Sequence, residues 1–315
     1  MGRLHEIIAS AEVIQMSGNM SLQQRIRLGL GITEHLAGLC FWAVAVLADG
    51  LNATPLGAES SNPAVDVELI LAVDVSASIT SAEQKLQRDG YIAAFRHPDM
   101  LQAIQYGGAR GRIAVTYMEW SGPEFQRVVR PWTIISNRDE AEQFADELAR
   151  EPISSHSSTS ISSALLLAEY LFDHSGMASE RRIIDVSGDG PNNTGPPITS
   201  VRDRLVGSGI SINGLPMSLD PGGTNRFENF AYVSSESLET YYHDCVIGGQ
   251  DAFVIGINDI SQFEVAIHRK LIREIADMPA HRWFAASRQA KTQATDCTAL
   301  GQTLENRQPA PFEIP

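Results

Sequence analysis

From Val67 onward, short apolar runs alternate with amphipathic stretches, and this alternation restricts the fold more than any other feature of the chain. It is the pattern of an α/β domain with a largely parallel sheet. Strands are expected at 67–74 (VELILAVD), 111–119, 126–134, 181–187, 210–216 and 252–257. Only WSGPEF separates the second from the third, which suits an antiparallel hairpin at a sheet edge. Thr80-Ser81-Ala82-Glu83 is a capping box, so a helix starts there, runs toward Phe95 and breaks near Pro98. Asn137 opens a second helix with Ala141, Phe144, Ala145 and Leu148 on one face. An apolar helix is expected over ISSALLLAEYLF, packed on the sheet. The last helix carries Phe263, Ile267, Leu271 and Ile275 in one stripe, capped near Asp259 or Ser261. One domain over residues 66–278 accounts for all of these elements.

The segments outside that domain read differently. LAGLCFWAVAVLA (residues 36–48) has the length of a secretory signal rather than a membrane span, and Arg25 and Arg27 precede it. Residues 1–48 are therefore expected to be an N-terminal extension, with Met20 as a natural start, followed by a signal peptide cleaved before Asp49. The competing reading is an uncleaved anchor over residues 28–48, made costly by Glu34 and His35. Leu39 stands where a lipoprotein cysteine at Cys40 would need a small residue. Residues 49–65 are small and polar, a linker, and residues 279–315 read as a polar, mobile tail. Past the signal only Cys245 and Cys297 remain, either buried thiols or one disulfide. His243 near Cys245 lacks the second cluster that a structural zinc site needs. The formal charge of −14 and pI near 5.0 leave no broad basic surface, which argues against nucleic acid as a partner.

The first expected strand runs into Asp74, Ser76 and Ser78 at alternate positions. In an open α/β sheet, ligands bind at the carboxyl ends of strands, where loops converge. These oxygens could simply satisfy backbone groups before a helix, but Thr80 already fills the capping position. A carboxylate and two hydroxyls are part of the six-oxygen set that Mg²⁺ takes. Two other loops could complete it. SSHSSTSISSAL places Thr159 just before a helix, and IIDVSGDGPNN places Asp189 directly after a strand.

This order resembles the von Willebrand factor A domain with its metal-ion-dependent adhesion site. The matching residues are Asp74, Ser76 and Ser78 in DVSAS, Thr159 in STSISSAL and Asp189 in SGDG. The resemblance implies a doubly wound, mostly parallel sheet with helices on both faces and a Mg²⁺ or Mn²⁺ site. Ser76, Ser78 and Thr159 would be hydroxyl ligands, while Asp74 and Asp189 would act mostly through bound water and supply negative charge. The open coordination position would take an Asp or Glu carboxylate from a protein partner. DGYIAAFRHPDM, AVTYMEWSG, IIDVSGDGPNN and YYHDCVIGGQDAFV are similar to a bacterial family of exported A-domain-like proteins of unknown function. Together with the signal-like run at 36–48, this points to a periplasmic or extracellular protein, or to one held at the inner membrane by residues 28–48. One departure stands out: the loop before Thr159 reads SSHSS, where A domains usually have glycine.

Other residues have plainer readings. Asp185 sits mid-strand and needs either a structural hydrogen-bond partner or a supporting role behind Asp189. Trp120 reads as a core or hairpin aromatic, and His156 as a solvated loop histidine. Asn192-Asn193-Thr194 is a formal glycosylation sequon, without meaning in a bacterial cell. The function expected is an exported, non-enzymatic, metal-dependent interaction module. One alternative is a Mg²⁺-dependent phosphoryl-transfer hydrolase with Asp74 as nucleophile, though no lysine accompanies the motifs. The other is an A-like scaffold with a vestigial metal site.

Overall fold

Strand β1 (Ala64–Asp74) is buried from Val65 to its end, so both of its faces must be covered. The computed structural model describes residues 62–218, 235–276 and 295–298. All of these belong to one unit of the chain, Ala58–Pro315. The expectations placed on the extension, the signal peptide or anchor, most of the linker, and tail residues 279–294 and 299–315 lie outside the described residues. Ala64 and Val65, expected in the linker, begin β1 instead.

Five strands form one sheet in the order β3-β2-β1-β4-β5. They are β1, β2 (Ile113–Trp120), β3 (Gln126–Ile135), β4 (Ala178–Gly188) and β5 (Ile210–Pro216). β1 pairs in parallel with β2 and β4, β4 in parallel with β5, and β3 closes one edge antiparallel to β2. The hairpin expected around WSGPEF is therefore present. Helices α1 (Ser81–Arg96), α2 (Pro98–Tyr106), α3 (Arg138–Ala149), α4 (Ile161–Asp173), α5 (Ile198–Gly207), α6 (Ser235–Tyr241) and α7 (Phe263–Ile275) complete the described elements. A π-helical turn (Tyr242–Val246) follows α6 and a 3₁₀ turn (Ile260–Gln262) leads into α7.

Alternation along β1 divides the core. Val67, Leu69, Leu71 and Val73 meet Tyr91, Phe95, Phe144 and Ile267 from α1, α3 and α7. Ile70 and Ala72 meet Leu165, Phe172, Leu205 and Tyr242 on the other face. Each such aliphatic side chain, once fully buried, contributes about 1.5–3 kcal/mol. Helices on both faces of a mostly parallel sheet are the doubly wound arrangement that the resemblance implied. Among the described residues no helix is long and apolar enough to cross a membrane.

The capping box at Thr80 and Glu83 is formed, and Asn137 caps α3. α1 does end at Arg96, but Pro98 then starts a helix rather than only breaking one. His97 caps it and Pro98 takes the first turn, where its missing N–H costs nothing. The expected strand at 252–257 is corrected. Its bonds to β5 run Gly214 N–H to Phe253 O, Ile255 N–H to Gly214 O, Ile257 N–H to Pro216 O and Ser218 N–H to Ile257 O. The bond missing from that ladder would come from residue 216, a proline, which has no N–H to donate. Two isolated bridges remain in place of a sixth strand.

Asp185 has the structural partner it needed. Lys270 of α7 is fully buried, lies 2.6 Å from Asp185 and also pairs with Glu274. Asn213 of β5 donates to Glu274 at 2.9 Å. Trp120 is fully buried, as its core reading required. Cys245 and Cys297 are joined in a disulfide with Cα atoms 5.6 Å apart, so the chain at residues 295–298 is tied to the π-helical turn. Cys245→Ser is expected to lower unfolding stability by about 2–4 kcal/mol, read by chemical denaturation, because the bridge closes a long loop. An unchanged midpoint would contradict that role.

Candidate metal centre

β1 is the strand at which the order of connection reverses, with β2 on one side and β4 on the other. At such a switch point the loops leaving neighbouring strands part and leave a crevice. Register sets what faces it: Asp74 pairs with Trp120, and Val73 with Ser187, which brings Asp74 level with Gly188 and the Asp189 that follows.

Asp74 is fully buried. Its Oδ1 accepts the Ser76 N–H at 2.7 Å, the backbone role that the plainer reading foresaw. Its Oδ2 is buried with no partner among the described residues, which that reading does not explain. The Ser76 and Ser78 hydroxyls lie 3.0 Å apart, and Ser78 donates to Asp189 Oδ1 at 2.8 Å. With its single proton committed to Asp189, Ser78 must accept from Ser76. The lone pairs of Ser76 stay free, and three loop oxygens are held in one line.

Thr159 is buried, but among the described residues no hydrogen bond links it to the other four residues. It is pinned through Asn193, whose side chain accepts the Thr159 N–H at 3.0 Å and whose N–H donates to Thr159 O at 2.9 Å. The loop before it is stitched in from both sides. His156 N–H donates to Val75 O at 3.1 Å, and Ser160 N–H to Ser121 O in the hairpin loop at 2.7 Å. His156 is half-buried and stacked on Phe125 with centroids 3.4 Å apart, which corrects its reading as a solvated loop residue. Ser158 sits at φ 69°, a left-handed conformation that glycine adopts freely and serine does not. The departure noted in SSHSS thus falls on a position whose backbone suits glycine. Ser158→Gly is expected to leave the loop intact and to stabilise the protein by up to about 1 kcal/mol in thermal or chemical melts. A destabilised variant would mean that the Ser158 side chain is itself needed there.

Electrostatics set this corner apart. Burial first, and the Asp189 charge second, push the Asp74 carboxyl well above the ordinary range, against the lowering pull of the Ser76 and Asp189 N–H groups. Asp189 is pushed up to about 6, chiefly by burial, with Glu83 adding to the rise against the Ser78 hydrogen bond. Among the described residues neither carboxyl is ion-paired with a lysine or arginine. Several acids therefore converge where the described residues provide no balancing cation, and a buried unpaired carboxylate is expensive.

Sequence reasoning missed some of the neighbours. Glu83 was read only as part of a cap. Asn192 and Asn193 were read as a sequon, yet Asn192 accepts the Ser162 N–H at the start of α4 at 2.9 Å. Paired asparagines in a loop, able to mimic backbone groups, were the available signal. Tyr242 carried no local signal. Its hydroxyl is buried without a partner among the described residues, and a Cβ on Gly188 would lie 2.7 Å from it and 2.9 Å from Asp74 Oδ2. Only glycine lets both oxygens approach the strand end so closely.

The donor set fits a hard divalent cation: free hydroxyl lone pairs, an orphaned buried carboxylate oxygen and a second carboxylate, with no nitrogen or sulfur. The family model described as Protein of unknown function (DUF1194) matches residues 64–279. No curated protein matches the chain. Among solved structures it is similar to proximal thread matrix protein 1 from the mussel byssus, which has a zinc-occupied MIDAS motif (14% identity, 68% of this chain and 49% of that one, TM-score 0.49). It is also similar to a von Willebrand factor type A protein from Catenulispora acidiphila (15% identity, 67% and 43%, TM-score 0.44). A third likeness is to an aerotolerance-related membrane protein from Bacteroides fragilis NCTC 9343 (19% identity, 67% and 100%, TM-score 0.41). The chain thus spans less than half the length of the first two.

Proposed function

The chain belongs to the DUF1194 family, and from that premise we propose that it is an exported, metal-dependent protein-interaction module of the von Willebrand factor A type. The observation that carries this reading is the buried Asp74 Oδ2 without a partner, beside serine hydroxyls bonded in line to Asp189. A bound Mg²⁺ or Mn²⁺ would supply the positive charge these carboxylates lack and an open position for an acidic ligand. Ser76, Ser78 and Thr159 present the hydroxyl oxygens, and Asp74 and Asp189 provide charge from behind them. Asn193 holds Thr159 at the rim, and Gly188 keeps the floor clear. The partner is a protein that offers an Asp or Glu side chain. Export is supported by the signal-like run at 36–48 together with the Cys245–Cys297 disulfide, since such bonds persist in oxidising compartments.

The phosphoryl-transfer alternative is disfavoured by the same geometry. Asp74 has no exposed surface from which to attack phosphorus, and among the described residues no lysine or arginine is ion-paired with either site carboxylate. The test is calorimetric titration of Mg²⁺ and Mn²⁺ into the full chain and its Asp74→Ala variant. Saturable binding that the variant loses is the expected result. Equal binding by both proteins, or none by the wild type even with an acidic peptide present, would remove the basis for the proposal.

A further inference from the structure

A second set of metal-ligating side chains meets at the far end of α1, about 24 Å along the helix from the strand-end oxygens at a rise of ~1.5 Å per residue. His97 sits between α1 and α2, Asp99 in the first turn of α2, and His268 on α7. One ligand atom from each lies within 4.8 Å of the other two. The two imidazole rings have centroids 4.2 Å apart and are tilted by 52°. Asp99 Oδ2 lies 3.6 Å from His97 Nδ1.

Packing and capping account for only part of this. His97 Nδ1 accepts the Asp99 N–H at 3.2 Å as the cap of α2, which explains one of its two ring nitrogens. His268 Nε2 is buried and has no hydrogen-bond partner among the described residues. That ring packs against a second imidazole and lies near a carboxylate, and an unpartnered imidazole nitrogen in its acceptor tautomer is naturally complemented by a cation. The donor type selects which one. Imidazole suits zinc, nickel and copper, whereas Mg²⁺ and Ca²⁺ are held by oxygens alone. Two histidines and a carboxylate are a recurring zinc set, with bonds of about 2.0–2.2 Å.

We propose that His97, Asp99 and His268 form a second divalent-cation site of the zinc class, which fastens α7 to the junction of α1 and α2. It is independent of the oxygen site at Asp74, because the two share no residue and differ in donor chemistry.

The experiment is Zn²⁺ titration into the full chain at neutral pH, followed by calorimetry, with Co²⁺ as a spectroscopic probe of nitrogen ligation. Wild type, Asp74→Ala, His97→Ala, His268→Ala and Asp99→Asn are compared, each checked for fold by circular dichroism. One zinc equivalent should survive in Asp74→Ala, be lost in His268→Ala, and weaken about tenfold or more in His97→Ala. Asp99 is exposed, so Asp99→Asn keeps the test available if a histidine variant does not fold, and it too should weaken binding. Zinc binding unchanged in His268→Ala and Asp99→Asn, zinc lost only in Asp74→Ala, or no zinc binding at all would each overturn the assignment.

Discussion

Replacing Asp74 by asparagine is expected to stabilise the metal-free protein while abolishing its response to divalent cations. Asparagine keeps the side-chain oxygen that accepts the Ser76 N–H and removes a charge that burial and Asp189 both oppose. A gain of about 1–3 kcal/mol is the scale of removing a charge from a buried site that holds no cation. The sign follows from proton linkage. Because the Asp74 carboxyl is raised in the folded state, the native chain retains a proton that the unfolded chain gives up above the ordinary value of 3.8. Metal-free stability from this group is therefore full at low pH and is lost as pH rises through the raised value. Asp74→Asn should remove that component. Cation works in the opposite direction, adding about 2.7 kcal/mol to the wild type at a hundredfold excess over Kd. Denaturation midpoints in chelator and in saturating Mn²⁺ measure both effects. If Asp74→Asn proves less stable than the wild type in chelator, the carboxylate is structural and the metal reading fails.

The second large effect lies beneath the sheet. Lys270→Met is expected to cost about 3–5 kcal/mol, because it leaves Asp185 and Glu274 buried without their common cation. Methionine fills most of the space, so the loss reports charge rather than a cavity. Even with Lys270 present, burial pushes Glu274 up to about 7, helped by the Asp185 charge and opposed by Lys270. Its raised value means that the folded state keeps a proton from 4.5 up to about 7, and stability from this group falls as pH rises through that window. Glu274→Gln should flatten that slope. A Lys270→Met protein of wild-type stability, or a Glu274→Gln protein with an unchanged slope, would show that the network does not carry the charge balance described.

Much of this organisation was legible locally. Apolar runs with turn signals located all five strands, and 210–216 coincides with β5. The Thr80–Glu83 box and the Asn137 cap were readable because capping is a contact between residues three apart. The run at 252–257 misled because apolar composition does not reveal that Pro216 stands opposite it. His156 misled because its stacking partner, Phe125, comes from a loop thirty-one positions earlier.

The sequence by itself determined the α/β class, the parallel core with its edge hairpin, and the list of strand-end oxygens. Those follow from periodicity and short-range chemistry, which a linear chain records directly. Only the tertiary structure decided that Ser78 would reach Asp189 across 111 positions, that Asn193 would clamp Thr159, and that Tyr242 and Asp74 would converge on Gly188. It likewise paired Cys245 with Cys297 and set Lys270 between two acids. Sheet register and crossover made those meetings, because both depend on how whole elements pack rather than on any one segment.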